Sequence, residues 1–545
     1  MRLSALAADL SHVRAGAAGD PDVSTITHDS RAAREGALFA AFPGARSDGR
    51  RFVADAVARG AVAALGLPPA PESLAVPYLV VANPRRDAGL MAALLAGRPA
   101  SRLVMAGVTG TSGKTTTAYL VDRLLGARHE KRGLFGTIVY RGAGGDGAAV
   151  PSPHTTPEAT ELQPMLGALV ADGGTAATLE CSSHALALER LAGCAFDVAL
   201  FLNLSHEHLD FHGSLDEYFE AKARLFRILK PEGKAVVNLG DPYGRKLASR
   251  LDARRTVGFL LEGDERAEQT RPAALAGAVA LAAAAAGETS LFATVVGRAT
   301  LELAGIRLDV EARAPFAFEG NNAETRAPLK REGTSDPEVL FRIDSPLLGR
   351  PNAENLLAAA AAGVALGYSP AEIAPALASV AVVPGRLERI ENDRGLTVLV
   401  DYAHKPAALE GVLRTVRPLA RAGGGRVLVV FGCGGDRDQG KRPVMGRIAA
   451  QLADDVVVTS DNPRSERPDA ILADVEAGIA PTGRSATYLV DRRAAIAEAL
   501  RRARPGDVVL VAGKGHETEQ VIAGVAHPFD DRAVLRALLA GEAPR

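Results

Sequence analysis

A ten-residue loop constrains this chain more than any other feature. It runs Gly107-Val108-Thr109-Gly110-Thr111-Ser112-Gly113-Lys114-Thr115-Thr116, between the apolar run Leu103 to Val108 and the helically spaced run Thr115 to Leu125. Strand, glycine-rich turn and helix in that order open an α/β domain with a parallel sheet. Glycine lets the backbone wrap closely, so that successive N–H groups point at phosphate oxygens. The helix start adds its partial positive charge. Lys114 can reach β- and γ-phosphates, and the Thr115 hydroxyl can ligate Mg²⁺. The strict phosphate-loop pattern has glycine where this chain has Val108, so the loop is a variant. A bare Gly-Lys-Thr would read as a capped turn, but the flanking strand and helix make it a nucleotide-binding loop.

The rest of the chain is organised around similar units. At 545 residues, it has room for about three domains, each able to bury its own core. Residues 1 to 100 alternate short strands and helices: Thr27 to Arg31 (THDSR) is turn-like, and Ala37 to Phe42, Val62 to Leu65 and Tyr78 to Val81 are apolar. Residues 101 to 350 hold the phosphate loop and buried strands at Ala176 to Leu179, Val198 to Leu202 and Ala235 to Asn238. Within them, 262 to 340 reads as an elaborated part with a mobile loop: the alanine-rich Ala273 to Ala286, one alternating strand at Ala299 to Val310 and the polar Glu319 to Asp336. Residues 351 to 545 repeat the strand-and-loop pattern, with strands at Thr397 to Val400, Arg426 to Phe431, Asp455 to Thr459 and Val508 to Ala512. In open α/β sheets ligands sit beyond the carboxyl ends of the strands, so the loops after these strands are the candidate sites.

Composition excludes some functions. The net charge of −1 argues against a broad nucleic-acid surface. The three cysteines, Cys181, Cys194 and Cys433, form no CxxC pair and fit a reducing compartment. The N-terminus has no long apolar leader, and Ala273 to Ala286 is shorter than the ~20 residues of a membrane span. The expectation is a cytoplasmic protein with no membrane span, acting as a monomer.

Several loops are dense in functional groups. His154-Thr155-Thr156-Pro157 offers hydroxyls and backbone donors, and Asn203 to Gly213 (NLSHEHLDFHG) is rich in potential ligands without the HExxH spacing of a zinc protease. Lys222 lies in a helical run, Leu215 to Leu229, where a lysine is usually solvated. Asp461-Asn462-Pro463-Arg464, read alone, is an ordinary turn, and Gly432 to Asp438 is a glycine-rich turn.

The phosphate loop, T-G-T-x-G-K-T-T, resembles that of the Mur ligase and folylpolyglutamate synthetase superfamily. The likeness runs in order from Thr27 to Arg31 (THDSR) to Phe529 to Arg532 (FDDR), with only 262 to 340 poorly matched. It is greatest to the branch that adds meso-diaminopimelate to UDP-N-acetylmuramoyl-L-alanyl-D-glutamate. The resemblance implies a three-domain α/β architecture: a UDP-substrate domain, a central P-loop ATPase domain and a Rossmann-like C-terminal acceptor domain. It implies ATP contacts from Gly110, Thr111, Ser112, Gly113, Lys114, Thr115, Thr116, Asn352, Arg386 and Asp401, with Asn355 nearby. The UDP-muramoyl dipeptide would meet Ser30, Arg46, Thr155, Thr156, Ser182 and Arg190. Where the branch usually has glutamine this chain has Leu188. Mg²⁺ would be held by Thr115, Glu180, His208 and a carbamylated Lys222, with Lys114, His208 and Lys222 in catalytic roles.

Diaminopimelate would meet Arg437, Asp461, Asn462, Pro463, Arg464, Gly513 and Glu517. The physics agrees for Arg464. Meso-diaminopimelate carries a distal carboxylate that lysine lacks; a guanidinium pairs with that carboxylate and repels a bare ammonium. The implied reaction activates a carboxylate as an acyl phosphate, shielded from water by closure of the C-terminal domain. A ligase adding L-lysine or a dipeptide, a folylpolyglutamate synthetase, and a nucleotide-dependent switch or binding protein are the alternatives.

Overall fold

The computed structural model describes residues 1–44, 47–142, 149–152, 154–262, 293–313 and 339–542. Arg46, the alanine-rich Ala273 to Ala286 and the polar Glu319 to Asp336 lie outside the described residues. The chain forms two compact units: residues 1–297 with 310–341 and 355–377, and residues 298–309 and 342–354 with 378–545.

The first unit contains two sheets. The N-terminal one is built from β1 (His12–Gly16), β2 (Thr25–Thr27), β3 (Ala37–Ala41), β4 (Ala61–Gly66) and β5 (Pro77–Val81), in the order β1-β5-β4-β3-β2. β1 runs antiparallel to β5, and the other neighbours are parallel. β3 is buried along its whole length, as a central parallel strand covered on both faces should be.

The central sheet uses β6 (Val104–Thr109), β7 (Arg132–Phe135), β8 (Val139–Arg141), β9 (Ala149–Pro151), β10 (Ala176–Glu180), β11 (Phe196–Phe201), β12 (Leu229–Asn238) and β13 (Thr256–Leu261). Their order is β13-β12-β11-β6-β10-β7-β8-β9. The parallel neighbours β10, β6 and β11 end level with one another: Glu180 pairs with Val108, and Phe201 with Thr109. That register brings the phosphate loop, Glu180 and the 203–208 loop to one edge. β14 (Ala293–Glu302) adds to β13 over residues 293–297.

The single strand expected over Ala299 to Val310 is instead the end of β14, a turn at 303–304, and most of β15 (Gly305–Arg313). The alternation of apolar residues changes phase at Ala304-Gly305: Leu301 and Leu303 precede it, and the buried Ile306, Leu308 and Val310 follow. A period-2 pattern that slips by one residue marks a reversal here. β16 (Val339–Ser345) follows. The helix carrying Lys222 is Leu215–Arg227, two residues shorter than expected, because Leu229 opens β12.

The second unit holds β17 (Glu388–Ile390), β18 (Thr397–Asp401), β19 (Val427–Cys433), β20 (Asp455–Ser460), β21 (Thr487–Leu489) and β22 (Val508–Ala512), in the order β17-β18-β22-β19-β20-β21. All neighbours are parallel except β17 with β18. Alternation explains its two cores. Val427, Val429 and Phe431 enter one apolar cluster, while Leu428 and Val430 enter the other. A two-stranded hairpin, β23 (Glu519–Ile522) with β24 (Val525–Pro528), completes it. Among the described residues no helix is long and apolar enough to cross a membrane.

Candidate active site

The phosphate loop leaves β6 and turns into the helix Lys114–Leu125 at Gly113, whose φ is +84°. A Cβ there would stand 2.4 Å from Asn355 Oδ1, so both backbone conformation and space require glycine. Asn203, the second residue after β11, braces the loop from beside. Its Oδ1 accepts from Ser112 N at 2.9 Å, and its backbone oxygen accepts from Thr111 N at 2.9 Å. Thr117 Oγ1 donates to Asn355 Oδ1 at 3.2 Å. The Lys114 ammonium lies over the loop, donating to Gly110 O and Thr111 O at 3.0 Å each. Thr115 and Thr116 are buried at the helix start.

Glu180 closes the loop from β10 and is 1% exposed. Thr115 Oγ1 donates to its Oε2 at 3.0 Å, and Thr137 donates through N at 2.8 Å to Oε1 and through Oγ1 at 3.0 Å to Oε2. Three hydrogen bonds from two threonines thus converge on one buried carboxylate next to the phosphate loop. Thr137 was not singled out from the sequence, and Asn203 only as the first residue of a ligand-rich stretch. Each is a polar residue just beyond an apolar strand, the only signal that could have marked them.

Lys222 is 1% exposed. Its Nζ donates to Gly110 O at 2.7 Å and lies 4.4 Å from the Tyr218 ring centre. Burial first, and the Lys114 charge second, hold its amine well below the usual lysine range. His208 adopts a left-handed backbone (φ +57°) at the start of the short helix Leu209–His212. Its ring lies 4.8 Å from that of His184 and 6.1 Å from that of Tyr218. Among the described residues, no three His, Cys, Asp or Glu side chains form a metal-ligating group. The hydroxyl and carboxylate oxygens of Thr115 and Glu180 suit Mg²⁺, which takes one or two carboxylates and completes its shell with phosphates and water.

Of the residues expected to hold the muramoyl substrate, Thr155, Thr156, Ser182 and Arg190 adjoin this edge. Thr155 Oγ1 is 3.2 Å from Thr137 Oγ1. Thr156 Oγ1 donates to Glu180 O at 2.6 Å and lies 3.3 Å from Ser182 Oγ, while Ser182 caps the helix Ser183–Ala187. Arg190 donates to Thr156 O at 3.0 Å and pairs with Glu158 at 3.1 Å. Arg85 meets the same carboxylate at 2.6 Å. Ser30 is buried, and its hydroxyl helps hold the Asp55 carboxyl below its ordinary range.

The second unit holds the other expected residues, most of them around the carboxyl ends of β18, β19, β20 and β22, with Asn352 on the helix Arg350–Ala365. Asp401 is buried and accepts from Leu387 N at 2.8 Å and Ala403 N at 2.9 Å; burial pushes its carboxyl up. Arg386 stacks 4.9 Å from the Tyr402 ring centre. Asn352 Nδ2 donates to Leu348 O at 2.9 Å. Beyond β20, Asp461 is buried with Oδ2 lacking a hydrogen-bond partner among the described residues, close to Gly513. Asn462 Nδ2 donates to Glu517 Oε2 at 2.9 Å, and the buried Lys514 donates to the same oxygen at 3.1 Å. Arg464 has a left-handed backbone (φ +54°), and its NH1 donates to Gly435 O at 2.8 Å. Arg437 is exposed on the neighbouring loop. A lysine-bearing phosphate loop thus stands at the strand ends of the first unit, and arginine, carboxylate and amide groups converge at strand ends of the second.

Comparison with known proteins places it further. Three family models match: Mur ligase family, catalytic domain over residues 22–98; Mur ligase middle domain over 108–299; and Mur ligase, glutamate ligase domain over 385–515. The chain is 41% identical to UDP-N-acetylmuramoyl-L-alanyl-D-glutamate–2,6-diaminopimelate ligase of Solibacter usitatus, covering 95% of this chain and 94% of that one. It is 43% identical to the protein of the same name from Streptomyces avermitilis, over 95% and 92%. A solved structure of a ligase of that name superposes with a TM-score of 0.61 at 31% identity, covering 95% of both chains. A folylpolyglutamate synthase of Mycobacterium tuberculosis shares the fold at a TM-score of 0.50 and 17% identity, over 83% of this chain and 95% of that one. The chain belongs to the Mur ligase family of ATP-dependent ligases.

Proposed function

We propose that this chain uses ATP to join meso-diaminopimelate to the D-glutamyl side chain of UDP-N-acetylmuramoyl-L-alanyl-D-glutamate, in the cytoplasmic synthesis of a peptidoglycan precursor. The observation that carries this reading is the end-to-end match, over 95% of the chain, to ligases named for that substrate and 2,6-diaminopimelate. Arg464 beyond β20 supports the acceptor assignment, because a guanidinium distinguishes diaminopimelate from lysine by one carboxylate.

In this reading the D-glutamyl carboxylate attacks the γ-phosphate of ATP, breaking its bond to the β-phosphate oxygen and releasing ADP. Two anions must approach, and Lys114 supplies the charge that offsets their repulsion. The acyl phosphate is attacked by an amine of diaminopimelate, and the tetrahedral adduct collapses to amide and inorganic phosphate. Mg²⁺ held by Thr115, Glu180, His208 and a carbamylated Lys222 would supply further neutralisation of the phosphates. Carbamylation joins a neutral amine to CO₂ with loss of one proton. The burial of Lys222 favours the neutral amine, and the product is a carboxylate on a long arm. Asp461, Asn462, Gly513 and Glu517 would receive the α-amino-acid end of the acceptor, with Arg437 and Arg464 on its carboxylates. The dipeptide would lie along Thr155, Thr156, Ser182 and Arg190, with Ser30 and Arg46 toward the uridine.

The same reading divides the chain near residues 100 and 350, and limited proteolysis should cut at those joins. The decisive experiment incubates the protein with ATP, the UDP-muramoyl dipeptide and candidate amino acids and weighs the product. The mass of the diaminopimelate adduct is expected. An adduct with lysine alone, or ATP hydrolysis without any adduct, would reject the reading.

A further inference from the structure

We infer that Asp436, through Ser465 and Glu466, is a positioning residue that sets acceptor affinity by locking the Arg437 and Arg464 loops together. The inference rests on the acceptor assignment above. Two loops at neighbouring strand ends, 434–438 after β19 and 461–466 after β20, would normally move independently. Here they are cross-bonded. Asp436 Oδ1 accepts from Ser465 Oγ at 2.6 Å, and Oδ2 accepts from Ser465 N at 3.1 Å. In return Asp436 N donates to Glu466 Oε1 at 2.6 Å. Gly435 N donates to Asn462 O at 2.9 Å, and Arg464 NH1 donates to Gly435 O at 2.8 Å. The backbones approach so closely that a Cβ on Gly435 would stand 1.9 Å from Pro463 O.

The lock is anchored below. Arg442, whose side chain is 1% exposed, donates to Glu466 Oε1 at 2.9 Å, to Asp474 Oδ2 at 2.8 Å and to Gly434 O at 3.3 Å. Asp436 and Arg464 both hold left-handed backbones, at φ +51° and +54°. Side chains with a Cβ rarely adopt that conformation without support. The strain therefore falls on the residue before Arg437 and on Arg464 itself, the two guanidiniums assigned to the acceptor. The cross-bonds offset it and fix the direction of both arginines before substrate arrives. One edge of the Arg464 guanidinium is committed to Gly435 O, which orients the rest of its fork. Preorganised arginines bind a carboxylate without the ordering cost of free side chains.

The test measures steady-state constants for all three substrates in the full-length protein. Asp436→Ala removes both bonds to Ser465 and keeps the left-handed strain. The KM for diaminopimelate should rise at least about tenfold, with the KM values for ATP and the UDP-muramoyl dipeptide unchanged. Asp436→Asn retains an acceptor for Ser465 and tolerates positive φ, so it should recover most of the affinity. Should Asp436→Ala fail to fold, as judged by thermal melting, Glu466→Gln and Glu466→Ala provide the same contrast through the Asp436 N–H. An unchanged diaminopimelate KM in the alanine variants, or a loss shared equally by all three substrates, would overturn the positioning role. A parent protein that does not turn over diaminopimelate would overturn it together with the acceptor assignment; parent turnover with unaffected variants would overturn it alone.

Discussion

The proposed nucleotide loop of the first unit and the proposed acceptor loops of the second both lie at the carboxyl ends of parallel strands, but they are held in different ways. The nucleotide loop is ten consecutive residues whose N–H groups are aimed by backbone conformation and a helix start. Its neighbours, Asn203 and Glu180, brace it from the adjacent strands. The acceptor loops come from three separate strand ends, joined by side-chain bonds such as Asn462 to Glu517 and Asp436 to Ser465. A site made by local backbone geometry depends on few side chains, each essential. A site assembled from distant segments spreads its function over many, so single changes weaken it by degrees.

The largest effect is therefore expected at Lys114, the charge in the backbone-built site. Lys114→Ala should lower turnover by ~10³-fold even at saturating ATP, in the range seen when a transition-state charge donor is removed. Near-normal turnover would break the first half of the comparison. Lys222 comes next. Lys222→Ala should lose ~10²-fold, in the range of supporting groups around a metal site, with partial recovery on adding formate or acetate, which can stand in for a lost carbamate. Activity equal to the parent without additives would remove Lys222 from the mechanism.

The same division decides what the sequence revealed. β6, its loop and the following helix were legible because all three are contiguous, and each has its own pattern of apolar run, glycines or helical spacing. Strand candidates such as Val508 to Ala512 coincide with β22 because a strand buried on both faces is a plain apolar run. The reversal at 303–304 left only a faint mark, since alternation continues on either side and only its phase changes. Thr137, Asn203, Ser465 and Glu466 carry at most a weak local signal, a polar residue beyond an apolar strand. Their contribution exists only when β7 lies beside β10, β6 beside β11, or β19 beside β20. Lys222 shows the limit most clearly: helical position alone argues for a solvated lysine, whereas the fold buries it against Gly110.

Arg464 tests the assembled site. A charge-assisted hydrogen bond contributes roughly 1.5–3 kcal/mol, or about 10- to 100-fold in specificity constant. Arg464→Ala should lose that much in kcat/KM for diaminopimelate and narrow its advantage over L-lysine. Arg464→Lys should not restore it, because an ammonium cannot reproduce the planar paired contact. Equal parent values for the two acceptors would show that this loop does not select the acceptor, leaving the ligase chemistry untouched.

The smallest expected effect, on stability, sharpens the comparison from the side of pH. His516 adjoins Glu517 in the acceptor region; its Nδ1 is buried without a hydrogen-bond partner among the described residues, and its ring is 4.9 Å from that of Tyr402. Burial first, then the charges of Arg386, Arg532 and His404, push its pKa down from 6.5 to about 4. Between those values the unfolded chain binds a proton that the folded chain refuses, so stability falls as pH falls. Above pH 6.5 both states are neutral at this residue, and its contribution is fully present. Thermal melting of the ligand-free protein from pH 7 down to about 4.5 should show a decline of a few degrees attributable to this ring. His516→Gln, which cannot titrate, should flatten that part of the curve relative to the parent. Parallel curves for parent and variant would mean that the ring protonates without cost in the folded state, and that the assembled site tolerates a buried charge where its geometry argues against one.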